Sequence, residues 1–105
     1  MTETNEREVK EHREYSNVVF VGSKPFMNYV TGVVMLFTAQ NADEVIVKAR
    51  GKFISRAVDI VEVARKRFLE NSLDIKEIKI DSEDFKNEEG RQVRVSAIEI
   101  TLKKK

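Results

Sequence analysis

Three cations stand close to glycine at places where the chain must turn. Lys24 lies two residues after Gly22 in VGSKPFMNYV (residues 21–30), just before the only proline, and Arg50 and Lys52 flank Gly51 in VKARGKF (residues 47–53). Arg56 follows about one helical turn later. Each glycine ends a short apolar, β-branched run and precedes a helical pattern. The cations therefore fall at strand-to-helix junctions, where free backbone N–H groups and the helix dipole favour an anion. Neither junction wraps a nucleotide: GSKP lacks the G-x-x-x-x-G-K-[ST] spacing, and ARGK builds no mononucleotide cradle. The chemistry these residues suit is shallow, additive contact with an extended phosphate backbone.

Other chemistries have little to work with. The chain has no cysteine and one histidine, His12, within a polar N-terminal stretch, so thiolate metal sites, cysteine nucleophiles and histidine-based triads are not expected. No cofactor, metal, catalytic residue or small-molecule substrate is expected, and the protein does not read as an enzyme. The opening MTETNEREVKEHREY lacks the apolar segment of a signal peptide. Residues 1–16 are read as a disordered charged extension and residues 17–105 as one domain, in a cytoplasmic protein.

The elements that position the cations follow from periodicity. NVVFVG is a short apolar run ending in glycine, as in a buried strand. Pro25 suits a first helical turn, entered from Ser23 or Lys24. The run from Pro25 to Ala42 has no charge over eighteen residues, yet Asn28, Thr31, Thr38, Gln40 and Asn41 make it too polar for a membrane span. A soluble helix apolar around most of its circumference needs a second cover, which in so small a chain points to another subunit. EVIVKA is a second strand. From Lys52 to about Asn71, Ile54, Ala57, Val58, Val61, Ala64 and Phe68 recur at helical spacing. LDIKEIKI and RQVRVSAIEITL flank the charged turn DSEDFKNEEG as a long hairpin. The order β-α-β-α-β-β predicts an α/β two-layer sandwich with a mixed sheet, its first strands parallel. That geometry places Lys24, Arg50, Lys52 and Arg56 on one sheet edge.

Both hairpin strands change apolar phase. In the last strand Val93 and Val95 belong to one phase and Ile98, Ile100 and Leu102 to the other. A bulge or strong twist would reconcile them, leaving the distal half, with Phe85, Arg91 and Arg94, as a projecting arm. Arg91 and Arg94 are expected to approach one groove together. The net charge of +1 hides a polar charge map. Residues 48–67 carry seven bases against two acids, and residues 70–90 carry eight acids against three bases. The acids either orient the protein away from phosphate or pair with a basic region of a neighbour. Asn28 and Tyr29 fit either ligand contact or a buried polar stripe satisfied across a dimer.

VFVGSKPFMNYV, EVIVKARGKFISRAVDIVEVARKRF and GRQVRVSAIEITLKKK, in that order, closely resemble the Alba family of archaeal chromatin proteins over about residues 17–105. The resemblance implies a homodimer, possible higher assembly along DNA, and a chromosome-associated location. It implies binding of double-stranded DNA, and also RNA, through basic loops, with the arms reaching toward the minor groove. Carried over by motif, the nucleic-acid contacts are Lys24, Arg50, Lys52 and Arg56 in the body and Arg91 and Arg94 in the arm. Many family members have two successive lysines in the first loop, the first open to acetylation. Here that position is Ser23, which removes one charged contact and leaves a hydroxyl to meet phosphate or to cap the helix. Phe68 has two readings: core residue by periodicity, or contact between dimers by family position. A primarily RNA-directed protein is the alternative function, and a scaffold docking an acidic protein a more distant one.

Overall fold

A computed structural model describes residues 17–105; the N-terminal extension expected to be disordered lies outside the described residues. The elements are β1 (Val18–Phe20), α1 (Phe26–Thr38), β2 (Glu44–Arg50), a 3₁₀ turn (Gly51–Phe53), α2 (Ile54–Val63) continued by a π-turn (Ala64–Phe68), β3 (Leu73–Lys86) and β4 (Gln92–Lys104). The predicted β-α-β-α-β-β order is the observed one. The sheet runs β1-β2-β4-β3, with β1 parallel to β2 and the other neighbours antiparallel.

Alternation on β2 sets the two faces. Val45, Val47 and Ala49 are buried, and their partners across β4 are Leu102, Ile100 and Ile98. Val30, Val33 and Phe37 of α1 and Ala57, Ile60 and Val61 of α2 complete this core. Each of the larger side chains, valine, leucine, isoleucine or phenylalanine, contributes about 1.5–3 kcal/mol on full burial. Residues in the other phase form an open face: Phe20, Lys48, Glu99 and Lys79 lie side by side across the four strands. No helix among the described residues is long and apolar enough to cross a membrane.

The phase change in β3 is a bulge at Lys76: Ile75 pairs with Leu102 and Glu77 with Thr101. One extra residue lets Leu73 and Ile75 before it, and Ile78 and Ile80 after it, all face the helix side. Lys76 Nζ donates to Glu44 Oε2 at 2.7 Å, and that hydrogen bond, with the carboxylate's charge, raises its pKa above the ordinary lysine value. Of the bulge or strong twist expected in β4, no bulge is present, because pairing runs without a shift from Gln92 to Thr101. Both phases are used instead, Ile98, Ile100 and Leu102 under the helices and Val93 and Val95 on the opposite face.

β2 stops pairing at Arg50 opposite Ala97, whereas β3 and β4 continue through Ser82↔Ser96 to Lys86↔Gln92. The hairpin thus leaves the sheet as the expected two-stranded arm. Asn87 closes its turn, accepting on Oδ1 from the N–H groups of Glu89 and Arg91, each at 3.0 Å. Gly90 supplies the left-handed φ of 81° there, which costs a glycine little.

The second helix ends differently from its predicted pattern. In the π-turn Leu69 N–H donates to Ala64 O at 2.9 Å. This five-residue spacing advances the helical phase by one residue. Leu69 therefore packs on the core, and Phe68, which the 3.6-residue period points inward, is 52% exposed. The core reading of Phe68 is corrected accordingly.

Candidate nucleic-acid interface

The loops after β1 and β2 meet because α2 begins directly beneath the first of them. Arg56 Nη1 donates to Gly22 O at 2.9 Å, and its guanidinium lies 5.7 Å from the centre of the Tyr29 ring. The buried Tyr29 hydroxyl accepts from the N–H groups of Gly22 (2.9 Å) and Lys24 (3.1 Å). Two backbone donors of the loop before α1 are thus satisfied, and with the Arg56 contact the loop is held at three points. Of the two readings of Tyr29, the buried polar one applies, and its partners lie in its own chain.

Lys24 and Ser23 project from this fastened loop and are exposed. Ser23 does not cap α1: the capping position is Pro25, without a side-chain cap hydrogen bond. The hydroxyl is left to the solvent side. Across the junction Gly51 adopts a φ of 53°, which disfavours any side chain, and turns β2 into the 3₁₀ segment. This puts Arg50 on one side and Lys52 on the other, with Lys52 Nζ 5.4 Å from the centre of the Phe53 ring. Lys24, Arg50 and Lys52 are exposed on the predicted edge, and Arg56 stands between the two loops as a part-buried brace.

Two acids of β3 pair with the candidate arginines. Arg50 Nη2 lies 2.6 Å from Glu83 Oε2 and 3.0 Å from Oε1, joining the body edge to the base of the arm. Arg94 Nε lies 3.2 Å from Asp84 Oδ1, its cross-strand partner. Both pairs are solvent-exposed, and such pairs contribute only about 0–1 kcal/mol. A polyanion can exchange with either carboxylate at small cost, so the arginines remain available.

Arg91 and Arg94 are not presented together. Arg91 belongs to the closing turn, its carbonyl accepting from Asn87 N–H at 2.9 Å. Arg94 lies three residues further on, and strand alternation sends side chains an odd number apart to opposite faces. The expectation that both approach one groove together is corrected: the arm carries one arginine at its tip and one along its length.

Sequence reasoning placed the cations but missed the tyrosine that holds their loop and the carboxylates that engage Arg50 and Arg94. The Tyr29 contact had a faint signal, a lone aromatic hydroxyl one turn into an uncharged helix. The Arg50–Glu83 contact depends on β3 lying beyond β4, which brings together residues 33 positions apart, whereas Arg94 and Asp84 are cross-strand neighbours in the hairpin.

Comparison with known proteins agrees with this geometry. The Alba family model matches residues 17–82. The DNA/RNA-binding protein Alba of Methanococcus maripaludis is 51% identical over 86 residues, spanning 82% of this chain and 96% of that protein. Among solved structures, Alba from Thermoplasma volcanium superposes with a TM-score of 0.75 at 48% identity, covering 82% of this chain and 98% of the other. ALBA1 from Trypanosoma brucei superposes with a TM-score of 0.67 at 26% identity, covering 85% and 69%. With the fastened basic edge, the β-α-β-α-β-β sheet and these matches together, the chain belongs to the Alba family.

Proposed function

We propose that this protein is a non-enzymatic nucleic-acid-binding homodimer that coats and compacts chromosomal DNA with little sequence preference, and that also binds RNA. The observation that carries the reading is the Arg56–Gly22 contact, which fixes two glycine-turned loops so that Lys24, Arg50 and Lys52 face outward on one edge. Cations that contact phosphates neutralise a backbone and carry no base information, which is why sequence preference is weak. The Methanococcus relative is a DNA/RNA-binding protein, which supports both ligands. Arg91 and Arg94 extend the contact along the arm toward the minor groove, where arginine is attracted by the enhanced negative potential.

The dimer covers what one chain leaves bare. Ile78 and Ile80 on the helix side of β3 are 55% and 79% exposed, and Val58 of α2 is 42% exposed. A second copy is the occupant whose matching apolar strip buries this surface in a closed, two-fold contact. Phe68, on the far end of α2, then remains outside the pair for contact between dimers.

Crosslinking in cells, followed by separate sequencing of the bound DNA and RNA, tests the proposal. Broad DNA coverage without a motif, accompanied by RNA, is expected. Recovery of RNA alone would replace it with the RNA-directed reading, and recovery of neither would overturn nucleic-acid binding altogether.

A further inference from the structure

On the open face of the sheet the most exposed large apolar side chain is Phe20. Phe20, the last residue of β1, is 69% exposed, in a row with Lys48, Glu99 and Lys79. An aromatic ring this exposed on a charged face is not core. It is also on the opposite side of the sheet from Ile78 and Ile80, so it is not part of the apolar strip assigned to the second copy. Lys48 Nζ stands 5.6 Å from the centre of the ring. Beside it opens a cleft of about 590 Å³ between the β1–β2 edge and the root of the arm, with Phe20 and Phe53 on its walls and Lys48, Arg50, Glu83 and Glu99 among its polar lining. That volume falls within the roughly 300–1,000 Å³ of sites that enclose small ligand groups.

We propose that this cleft is a stacking site for one unpaired nucleobase of single-stranded DNA or RNA, with Phe20 as the platform. The inference rests on the nucleic-acid-binding reading above and deepens it. Every base presents a π-face, and single-strand sites combine such platforms with cations tracking the backbone. Both parts are present. Phe20 offers the ring, while Lys48 and Arg50 stand at the same cleft as the basic edge, Arg50 shared between the two. A base paired within a duplex cannot reach the ring without leaving its stack, an exchange that costs a few kcal/mol. The cleft therefore selects unpaired strands, flipped bases and loops, and leaves duplex binding to the outward cations. Lys48 and Arg50 are at present balanced by Glu99 at 4.0 Å and Glu83 at 2.6 Å. A phosphate entering beside the base takes the place of these exposed carboxylates.

The chain contains no tryptophan, so a Phe20→Trp variant carries a single fluorophore at the platform. Titration with oligodeoxythymidylate and with oligouridylate should quench its emission, and titration with a blunt duplex of equal length should not. In direct binding, Phe20→Leu keeps the apolar bulk but removes the π-face. It should lose roughly tenfold in affinity for both single strands, the scale of one base–aromatic stack, while Phe20→Trp retains it and duplex affinity is unchanged in both variants. If duplex binding is normal but quenching is absent, or if the leucine variant binds single strands as the wild type does, the stacking site is overturned while nucleic-acid binding stands. Equal loss on duplex and single strands would also overturn it, by assigning Phe20 to general architecture. Failure of the wild type to bind any of these probes removes the functional reading, and the stacking site with it.

Discussion

Arg50 and Arg94 each hold a carboxylate supplied by the strand that bears the arm, Glu83 and Asp84 respectively. The consequence is competition: phosphate and carboxylate seek the same guanidinium, and both pairs are exposed enough for exchange. Glu83→Gln and Asp84→Asn preserve shape while removing the competing charge. Each should tighten duplex binding by roughly two- to fivefold, the equivalent of one exposed ion pair. Unchanged or weaker binding in titrations at fixed low salt would mean the carboxylates orient the arginines rather than compete for them. At this scale the sequence was legible where a residue acts through its own position. Lys24, Arg50 and Lys52 follow from glycine-ended strands, whereas the Arg50–Glu83 pair requires knowing that β3 flanks β4. Ser23 stays exposed in the loop and does not cap α1.

At the scale of elements, single-residue shifts of phase decide what faces the core. The inward phases of LDIKEIKI disagree by one residue, and the bulge at Lys76 is the physical answer, so this feature could be read in advance. The π-turn could not, because Ala64–Phe68 continues an unbroken helical pattern and only the five-residue hydrogen bond at Leu69 reveals the slip. The slip separates two neighbouring residues experimentally. Leu69→Ala should destabilise the protein by about 2 kcal/mol, the low end for a half-buried leucine. Phe68→Ala should change stability by less than about 1 kcal/mol and lower cooperativity along DNA. Denaturant unfolding of both variants checks the order, and a larger loss for Phe68→Ala would return that residue to the core. The arm is the other element with a distinct behaviour, since beyond Asp81 and Ala97 it has no third strand. Its tip amides should exchange rapidly in the free protein. On duplex binding, protection should rise from Arg91 to Val95 and rise less from Ser82 to Asn87, where the acids Glu83 and Asp84 are repelled by phosphate. Equal exchange in both states would make the arm a bystander.

For the whole molecule, the near-neutral total charge says little and its distribution says most. Lys24, Arg50 and Lys52 stand on the strand-to-helix edge, acids run along the outer strand, and the exposed isoleucines lie on the helix side of that same strand. The uncharged α1 pointed to a second subunit from sequence. The most exposed isoleucines are instead on β3, because α1 and α2 leave Ile78 and Ile80 uncovered. Sedimentation at micromolar concentration should give twice the mass of one chain, and Ile80→Asp should shift the species toward monomer. A monomeric wild type with an intact fold would remove the dimer.

The central claim, that Lys24, Arg50 and Lys52 form one phosphate-binding edge, is tested most directly by the salt dependence of duplex affinity. Wild type and the three single alanine variants should be titrated against unrelated duplex sequences over a range of salt concentrations. The account predicts that each variant weakens binding to all sequences alike and reduces the slope of log affinity against log salt by roughly 0.9, one phosphate contact each. Wild-type slopes in all three variants would contradict it and place the interface elsewhere on the molecule.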